Sequence, residues 1–113
     1  DEGGLNQIGE RVFTLNRAVL LREGHQGALD DQLPAHWYTT PLKFDLTNPD
    51  LLLPGKGNEA VSMKGRLVEK VQFEAMKKEY YGLRKWDAET GLPTEARLKE
   101  LGLADIAAQL KQR

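Results

Sequence analysis

Two histidines and a pair of aspartates are the side chains of this sequence best suited to chemistry: His25, His36, Asp30 and Asp31. The spacing of the histidines fits no common metal-ligand pattern, so both are predicted to have surface or packing roles. The adjacent aspartates could work as an acid–base pair only if burial or like-charge repulsion raised the pKa of one of them. Their position before a proline-led turn at 34–38 instead predicts that they cap this short helix.

Four aromatic side chains could form a platform on which bases stack: Trp37, Tyr80, Tyr81 and Trp86. Aromatic residues at helical spacing without interleaved basic residues more often belong to a core. The chain has 16 basic and 17 acidic residues, a net charge of −1, and lacks the positive field on which nucleic-acid binding relies. We therefore expect these rings in a core or at a domain interface, and no nucleic-acid partner.

Length and composition describe one small domain. A chain of 113 residues can form a single modest core. It contains no cysteine, which excludes disulfides, zinc–thiolate sites and cysteine ligands to an iron–sulfur cluster within these residues. No apolar run approaches the length of a membrane span, so we expect no membrane partner and a cytoplasmic location. The start, Asp1-Glu2-Gly3-Gly4, is neither a signal peptide nor a natural initiator, and we interpret the chain as a piece of something longer.

The elements that must position these side chains are helices. The first is predicted over 5–23, because apolar residues recur there at spacings of three and four. This apolar stripe consists of Leu5, Ile8, Val12, Leu15 and Val19, and is widened by Ala18 and Leu21. Gly24 is placed to end the helix, since glycine readily adopts the left-handed conformation that closes helices. The pattern predicts an amphipathic helix.

Three further helices follow from spacing and capping residues. Apolar spacing predicts one over about 69–84, and Thr94 is placed as the N-cap of a shorter helix that ends at Gly102. Another begins near Ala104. Together with the first helix and the short turn, they predict an all-α fold, an irregular cluster of four or five helices that forms a single domain over 1–113.

A long loop around 43–66 separates the two halves of this cluster. It contains turn formers and no convincing period, and its apolar run Leu51–Leu53 has no partner within the segment. A connection of this length is unusual in an independent domain. We therefore expect Leu51–Leu53 to pack on the helices of this chain or on a neighbouring molecule.

Two blocks of the sequence combine short motifs in an unusual way. Residues 9–34 contain Gly-Glu-Arg, then Arg-Glu-Gly, then an acidic pair before Leu-Pro; residues 80–103 contain Tyr-Tyr-Gly-Leu-Arg-Lys-Trp-Asp, then Gly-Leu-Pro-Thr. In order and character they resemble the C-terminal end of the tungsten-dependent aldehyde:ferredoxin oxidoreductase family, over roughly 8–42 and 64–104. Residues 43–63 do not follow the family pattern.

The resemblance implies a parent enzyme that oxidises an aldehyde to a carboxylate and passes the electrons to ferredoxin. Such enzymes carry tungsten, or sometimes molybdenum, on two pterins beside a four-iron cluster. The catalytic and cofactor-binding motifs of the family have no matching positions in this sequence, so the resemblance assigns no catalytic, cofactor-binding or metal-binding residue here. The segment is then expected to have a structural role and to be inactive by itself. Its partners would be the remaining domains of the parent enzyme, with homo-oligomer formation left open.

The first helix carries six polar residues whose role stays open between two alternatives: Glu10, Arg11, Asn16, Arg17, Arg22 and Glu23. They form a solvated face, or, as the resemblance implies, some lie at an interdomain boundary, where unpaired burial would be costly. A different class of function also stays open, a stand-alone helical protein-interaction module without cofactors. A large exposed apolar patch would favour the enzyme segment over the module.

Overall fold

The structure, a computed structural model, describes residues 1–43 and 50–110 of the chain. These residues are mostly helical, which confirms the all-α prediction. Over the described ranges the elements, in chain order, are α1 (Glu2–Arg22), a 3₁₀ turn (Gly27–Leu29), α2 (His36–Thr39), β1 (Leu53–Pro54), β2 (Ala60–Val61), α3 (Lys70–Leu83), α4 (Glu95–Glu100) and α5 (Ala104–Leu110).

The chain divides into two compact units. The helical unit consists of Asp1–Gln32 and the chain from Ala75 onward, and so holds α1, most of α3, α4 and α5. The hairpin unit, Leu33–Glu74, holds α2, both strands and the beginning of α3. The expectation of a single domain over 1–113 stays a prediction.

The helix α1 begins earlier than predicted because its cap lies outside the apolar pattern. The Asp1 carboxylate accepts a hydrogen bond from the backbone N–H of Gly4 at 2.7 Å, and so satisfies a donor that no helical carbonyl can reach. At the other end, Gly24 has a φ of +108°, the left-handed conformation expected of it. The helix predicted over 5–23 is therefore confirmed, with an earlier start.

The apolar stripe that predicts α1 is not the face that α1 buries. Its members are between 36% and 70% exposed: Leu5, Ile8, Val12, Leu15 and Val19. The buried residues of α1 are Thr14, Arg17, Ala18 and Leu21. At about 100° per residue, these four lie largely on the opposite side of the helix, so Ala18 and Leu21 do not widen the stripe as predicted. The helix packs on its own unit through a partly polar face and exposes its most apolar one.

The apolar core of the helical unit lies between α4 and α5, and α1 also contacts α5. Its buried members are Leu98, Leu101, Leu103 and Ala107, with Ile106 and Leu110 packed partly against them. The hydroxyl of Thr94 accepts from the backbone N–H of Arg97 at 3.2 Å, which confirms the predicted N-cap of α4. Gly102, at a φ of +70°, separates the two helices as predicted.

The hairpin unit contains two short strands where the sequence predicts a long loop around 43–66. β1 and β2 pair antiparallel, with Leu53 opposite Val61. Each strand has two residues, too few for alternation to appear in the sequence. Leu52 and Leu53 are 56% and 38% exposed, so the apolar run is only partly covered here. Residues 44–49 lie outside the described residues.

Candidate functional site

A buried ion pair lies within the helical unit. Arg17 of α1 is only 7% exposed, and its guanidinium donates from Nη1 to Oδ1 of Asp31 at 2.9 Å and from Nη2 to Oδ2 at 2.5 Å. Two parallel hydrogen bonds of this kind are the most specific geometry that an arginine and a carboxylate form. The pair joins α1 to the residues that follow the 3₁₀ turn.

Two further donors face the carboxylate of Asp31. The hydroxyl of Tyr81 on α3 donates to Oδ2, and Nε2 of His25 lies 3.4 Å from Oδ1. Nδ1 of His25 accepts from the backbone N–H of Gly27 at 3.1 Å, so the proton of the neutral ring belongs on Nε2, the nitrogen that faces Asp31. Donors from α1, from α3 and from the loop after α1 therefore converge on one carboxylate.

The other side of Arg17 is enclosed by backbone and aromatic rings. Nε donates to the carbonyl of Gly91 at 3.1 Å, and the guanidinium carbon lies 5.2 Å from the ring centroid of Trp86 and 5.9 Å from that of Tyr81. These are cation–π distances. Gly91 has a φ of +66°, and a Cβ there would come within 2.8 Å of Cζ of Tyr81 and 2.9 Å of Nη2 of Arg17. The positions of Arg17 and Tyr81 therefore require glycine at position 91.

The backbone around the ion pair is itself held in place. Nζ of Lys77 donates to the carbonyl oxygens of Ala28, at 3.2 Å, and Asp31, at 3.0 Å. Oδ1 of Asp87 accepts from both the backbone N–H and the hydroxyl of Thr90 at 2.7 Å, and the N–H of Ala28 donates to the carbonyl of Thr90 at 2.8 Å. The loop after α1, α3 and the turn at 87–91 are thus tied together.

The charges of the ion pair are fixed by their surroundings. Burial alone would lower the pKa of Arg17, but the hydrogen bonds and negative charge of Asp31 outweigh it and raise that pKa. Burial alone would raise the pKa of Asp31, but hydrogen bonds from Arg17 and Tyr81 outweigh it and lower that pKa below 3.8. Burial and the hydrogen bond to Asp31 raise the pKa of Tyr81. At neutral pH the carboxylate is therefore ionised, and its lowered pKa makes it a weaker proton acceptor than an ordinary aspartate.

The prediction that Asp30 and Asp31 cap the following helix is wrong. α2 has Ala35 at its N-cap position, with no side-chain hydrogen bond. Asp31 forms the ion pair instead, and Oδ2 of Asp30 accepts from the backbone N–H of Gln26 at 2.7 Å, on the other side of the 3₁₀ turn. Aspartate can bond to backbone groups before or after it, and the sequence alone does not show the direction.

A second group of ion pairs centres on Glu10 of α1. Its carboxylate accepts from Nη1 of Arg84 and, at 3.0 Å, from Nη2 of Arg97, while Nη1 of Arg97 lies 3.0 Å from Oε2 of Glu100. The guanidinium carbon of Arg84 also lies 4.6 Å from the ring centroid of Phe13. These contacts tie α1 to the end of α3 and to α4.

The six polar residues whose role the sequence left open, five in α1 and Glu23 at its C-cap, divide between the two alternatives. Glu10 and Arg17 form ion pairs within the helical unit, with 28% and 7% of their side chains exposed, so neither lies on a fully solvated face. The exposed members are Arg11, Asn16, Arg22 and Glu23. Nε of Arg22 and Oε1 of Glu23 pair at 3.2 Å on the surface, as a solvated face predicts. A role for any of these residues at an interdomain boundary stays a prediction.

The four aromatic side chains of the predicted core differ in how deeply they are buried. Tyr81 and Trp86 are 2% and 6% exposed, which confirms the predicted core position for both. Tyr80 packs edge-on against Trp86 at 6.0 Å between ring centroids but stays partly exposed. In the hairpin unit, Trp37 is 49% exposed, and His36 lies exposed beside it with the ring centroids 6.2 Å apart. His36 has the predicted surface role, and Trp37 is not in the core of the described residues.

Sequence reasoning missed the burial of Arg17 and its pairing with Asp31. A signal was present, because Thr14, Ala18 and Leu21 form a second stripe of small and apolar residues at spacings of four and three. Arg17 lies within that stripe. A lone arginine among residues of this kind indicates a charge that folding brings to a buried partner.

An apolar cleft lies between α1, α4 and α5, with a volume of about 380 Å³. Its walls come mainly from Leu21, Leu92, Pro93, Leu98, Ala107 and Leu110, and His25 and Glu95 also line it. The Asp31 carboxylate does not line this cleft. Its oxygens face Arg17, Tyr81 and His25, and these contacts hold α1, α3 and the loop after α1 together.

The described residues do not fit the metal centres that the resemblance implies for the parent enzyme. Over 1–43 and 50–110, no group of three or more histidine, cysteine, aspartate or glutamate residues is placed to hold a metal ion. The whole chain also lacks cysteine, the usual ligand of an iron–sulfur cluster. Among the helices of the same ranges, none is long and apolar enough to cross a membrane.

Comparison with known proteins identifies the class to which this arrangement belongs. The family model described as "Aldehyde ferredoxin oxidoreductase, domains 2 & 3" matches residues 1–103. The match spans α1, both ion-pair groups and α4. The chain belongs to the aldehyde ferredoxin oxidoreductase family, and the resemblance drawn from the two sequence blocks is confirmed.

One curated relative is the tungsten-containing aldehyde ferredoxin oxidoreductase of Pyrococcus furiosus, which is 30% identical to this chain over 100 residues. The aligned region covers 88% of this chain and 13% of the relative. This chain therefore corresponds to a small part of that protein's length. No solved structure gives a significant match.

Proposed function

We propose that this chain is the C-terminal helical segment of a tungstopterin and iron–sulfur enzyme of the aldehyde:ferredoxin oxidoreductase type. The parent would oxidise an aldehyde to a carboxylate in the cytoplasm and pass two electrons to ferredoxin. The observation that carries the proposal is the family match over residues 1–103, together with a relative whose name specifies tungsten and ferredoxin. Both metal centres would be held by parts of the parent outside this segment.

The segment's own contribution would be structural. Three of its arginines, Arg17, Arg84 and Arg97, are paired within the helical unit with Asp31 or Glu10. In a cofactor enzyme the cofactor carries the chemistry, while the protein positions it and tunes its electronics. We therefore propose that these networks keep the helices at fixed positions against the cofactor-binding parts of the parent, and that this chain alone is inactive.

The proposal is tested by an activity assay on the native protein. An antibody raised against this chain captures the protein from its source under anaerobic conditions, and the bound material is assayed for aldehyde-dependent reduction of ferredoxin. Aldehyde-dependent reduction that disappears when the antibody is blocked with this chain is the expected result. Captured protein that reduces no ferredoxin with any of a range of aliphatic and aromatic aldehydes would contradict it.

A second candidate function is a stand-alone helical protein-interaction module without cofactors. The five exposed apolar side chains of the α1 stripe favour the enzyme segment over this module. Such a module would be captured by the same antibody as a small chain without metal. The masses of the captured proteins separate the two candidates.

A further inference from the structure

The apolar stripe of α1 stays between 36% and 70% exposed within the described residues. It is formed by Leu5, Ile8, Val12, Leu15 and Val19. We propose that it is an interaction surface for an apolar helix elsewhere in the same full-length polypeptide, outside residues 1–113. This inference rests on the proposed function, in which the chain is a segment of a larger enzyme. It adds the surface by which the segment docks and the kind of element that covers it.

The spacing of the stripe defines the shape of its partner. Its members follow one another at three, four, three and four residues, the spacing of the seam in a coiled coil. With a rise of 1.5 Å per residue, the stripe is roughly 21 Å long, which matches a partner helix of about four turns. Each member is aliphatic, and no charged side chain interrupts the seam. The complementary surface is therefore an apolar helix face that crosses α1 at a shallow angle.

The ion pairs of α1 prevent the stripe from turning inward. Arg17 and Glu10 on the opposite side of the helix are bound to Asp31, Arg84 and Arg97. Rotating α1 so that the stripe faced α4 and α5 would break these pairs and leave charges buried without partners, which is strongly unfavourable. The outward direction of the stripe is thus fixed by the fold of the helical unit.

The length of the stripe favours a partner in the same polypeptide over a second copy. The stripe spans two heptads. A sequence pattern that indicates a self-associating coiled coil extends over about three or four heptads. A partner in the same chain is present at a high effective concentration, so a short seam suffices. The relative has most of its length outside the region aligned with this chain, and that length can supply such a helix.

Site-specific photo-crosslinking in the full-length natural protein tests the proposal. Benzoylphenylalanine replaces Val12 in the stripe, or Leu20 as the control. Both residues are apolar, lie on α1 and are about half exposed, but Leu20 lies off the stripe. After irradiation we expect products from position 12 that join α1 to a peptide of the same chain outside residues 1–113, with a yield several-fold higher than from position 20.

Three results would overturn the proposal: products that join α1 of one copy to α1 of another, no product from position 12, or equal yields from the two positions. Tungsten and iron are measured in the same preparation, so that this failure is distinguishable from failure of the proposed function. If the protein contains both metals and oxidises aldehydes but gives no intrachain product from position 12, the docking proposal is overturned and the proposed function is kept. If a metal-free protein gives the intrachain product, the proposed enzyme function is overturned and the docking surface is kept.

Discussion

At the scale of residues, the helical unit depends on charges that it buries. A buried ion pair stabilises a fold only when its geometry is good and its remaining hydrogen-bonding groups are satisfied. The Arg17–Asp31 pair has two parallel hydrogen bonds, and its flanks are filled by Tyr81, His25 and the carbonyl of Gly91. Removing one member leaves the other without compensation in a largely buried site, where 7% of Arg17 and 25% of Asp31 is exposed.

The replacement Asp31→Asn tests this dependence. It keeps the size of the side chain but leaves the Arg17 charge unpaired, and we expect the free energy of unfolding to fall by about 3 kcal/mol, the low end for a buried pair, since Asp31 is a quarter exposed. The control Asp30→Asn affects an exposed hydrogen bond to the N–H of Gln26 and should cost about 1 kcal/mol or less. Urea denaturation of this chain measures both. Equal losses in the free energy of unfolding would mean that the Arg17–Asp31 pair stabilises the fold no more than the hydrogen bond of Asp30 does.

The stabilising effect of Asp31 should also depend on pH. Its pKa is lower in the folded chain than the ordinary 3.8, so its contribution is present above that value and is lost as the pH falls through the folded-state pKa. Asparagine resembles the protonated acid, so the difference in stability between the wild type and Asp31→Asn should shrink as the pH falls below about 4. Urea midpoints measured from pH 7 to 3 test this. A difference that grows in acid would contradict the assigned pKa direction.

Gly91 gives a third test at this scale. Gly91→Ala places a Cβ against Tyr81 and Arg17 at a positive φ, whereas Gly102→Ala has a similar φ of +70° and a nearest atom at 3.6 Å. Both pay the backbone strain of about 1 kcal/mol, but the first must also displace the ion-pair network. We expect the loss of stability to be clearly larger at position 91. Equal losses in thermal or urea unfolding would show that the contact at Gly91 is tolerated.

At the scale of elements, the sequence predicts which segments are helical better than it predicts what they contact. The period of apolar residues identified α1, α3 and the last two helices, because helix formation depends on local spacing and caps. The buried face of α1 could not be predicted, because it is determined by Arg17 and Glu10 finding partners 14 to 87 residues away in the chain. Asp31 was assigned to a cap for the same reason: its partner is remote.

Paired substitutions on α1 test which face is buried in this chain. Leu21→Ala removes a side chain that is 5% exposed and should cost at least about 2 kcal/mol. Ile8→Ala removes one that is 63% exposed and should change the free energy of unfolding by less than about 0.5 kcal/mol. Urea denaturation at low protein concentration compares them. A loss at position 8 as large as at position 21 would show that the stripe is buried in this chain.

At the scale of the whole molecule, family membership and the exposed apolar stripe of α1 both favour a segment of a larger enzyme. Combined motifs in two sequence blocks were sufficient to identify the family, which the match over residues 1–103 confirms. Composition and periodicity could not have done so, because nothing in them distinguishes this chain from other small helical domains. The sequence predicts no catalytic, cofactor-binding or metal-binding residue in this chain, so the chemistry proposed for the parent would depend on residues elsewhere in it.

We propose that this chain is part of a tungsten and iron–sulfur oxidoreductase. The intact mass and the tungsten, molybdenum and iron content of the native protein, captured with an antibody to this chain, test that claim most directly. We expect a polypeptide several times longer than 113 residues that contains iron and tungsten. A metal-free protein of about the mass of this chain, 12.7 kDa, would contradict it and leave the helical interaction module.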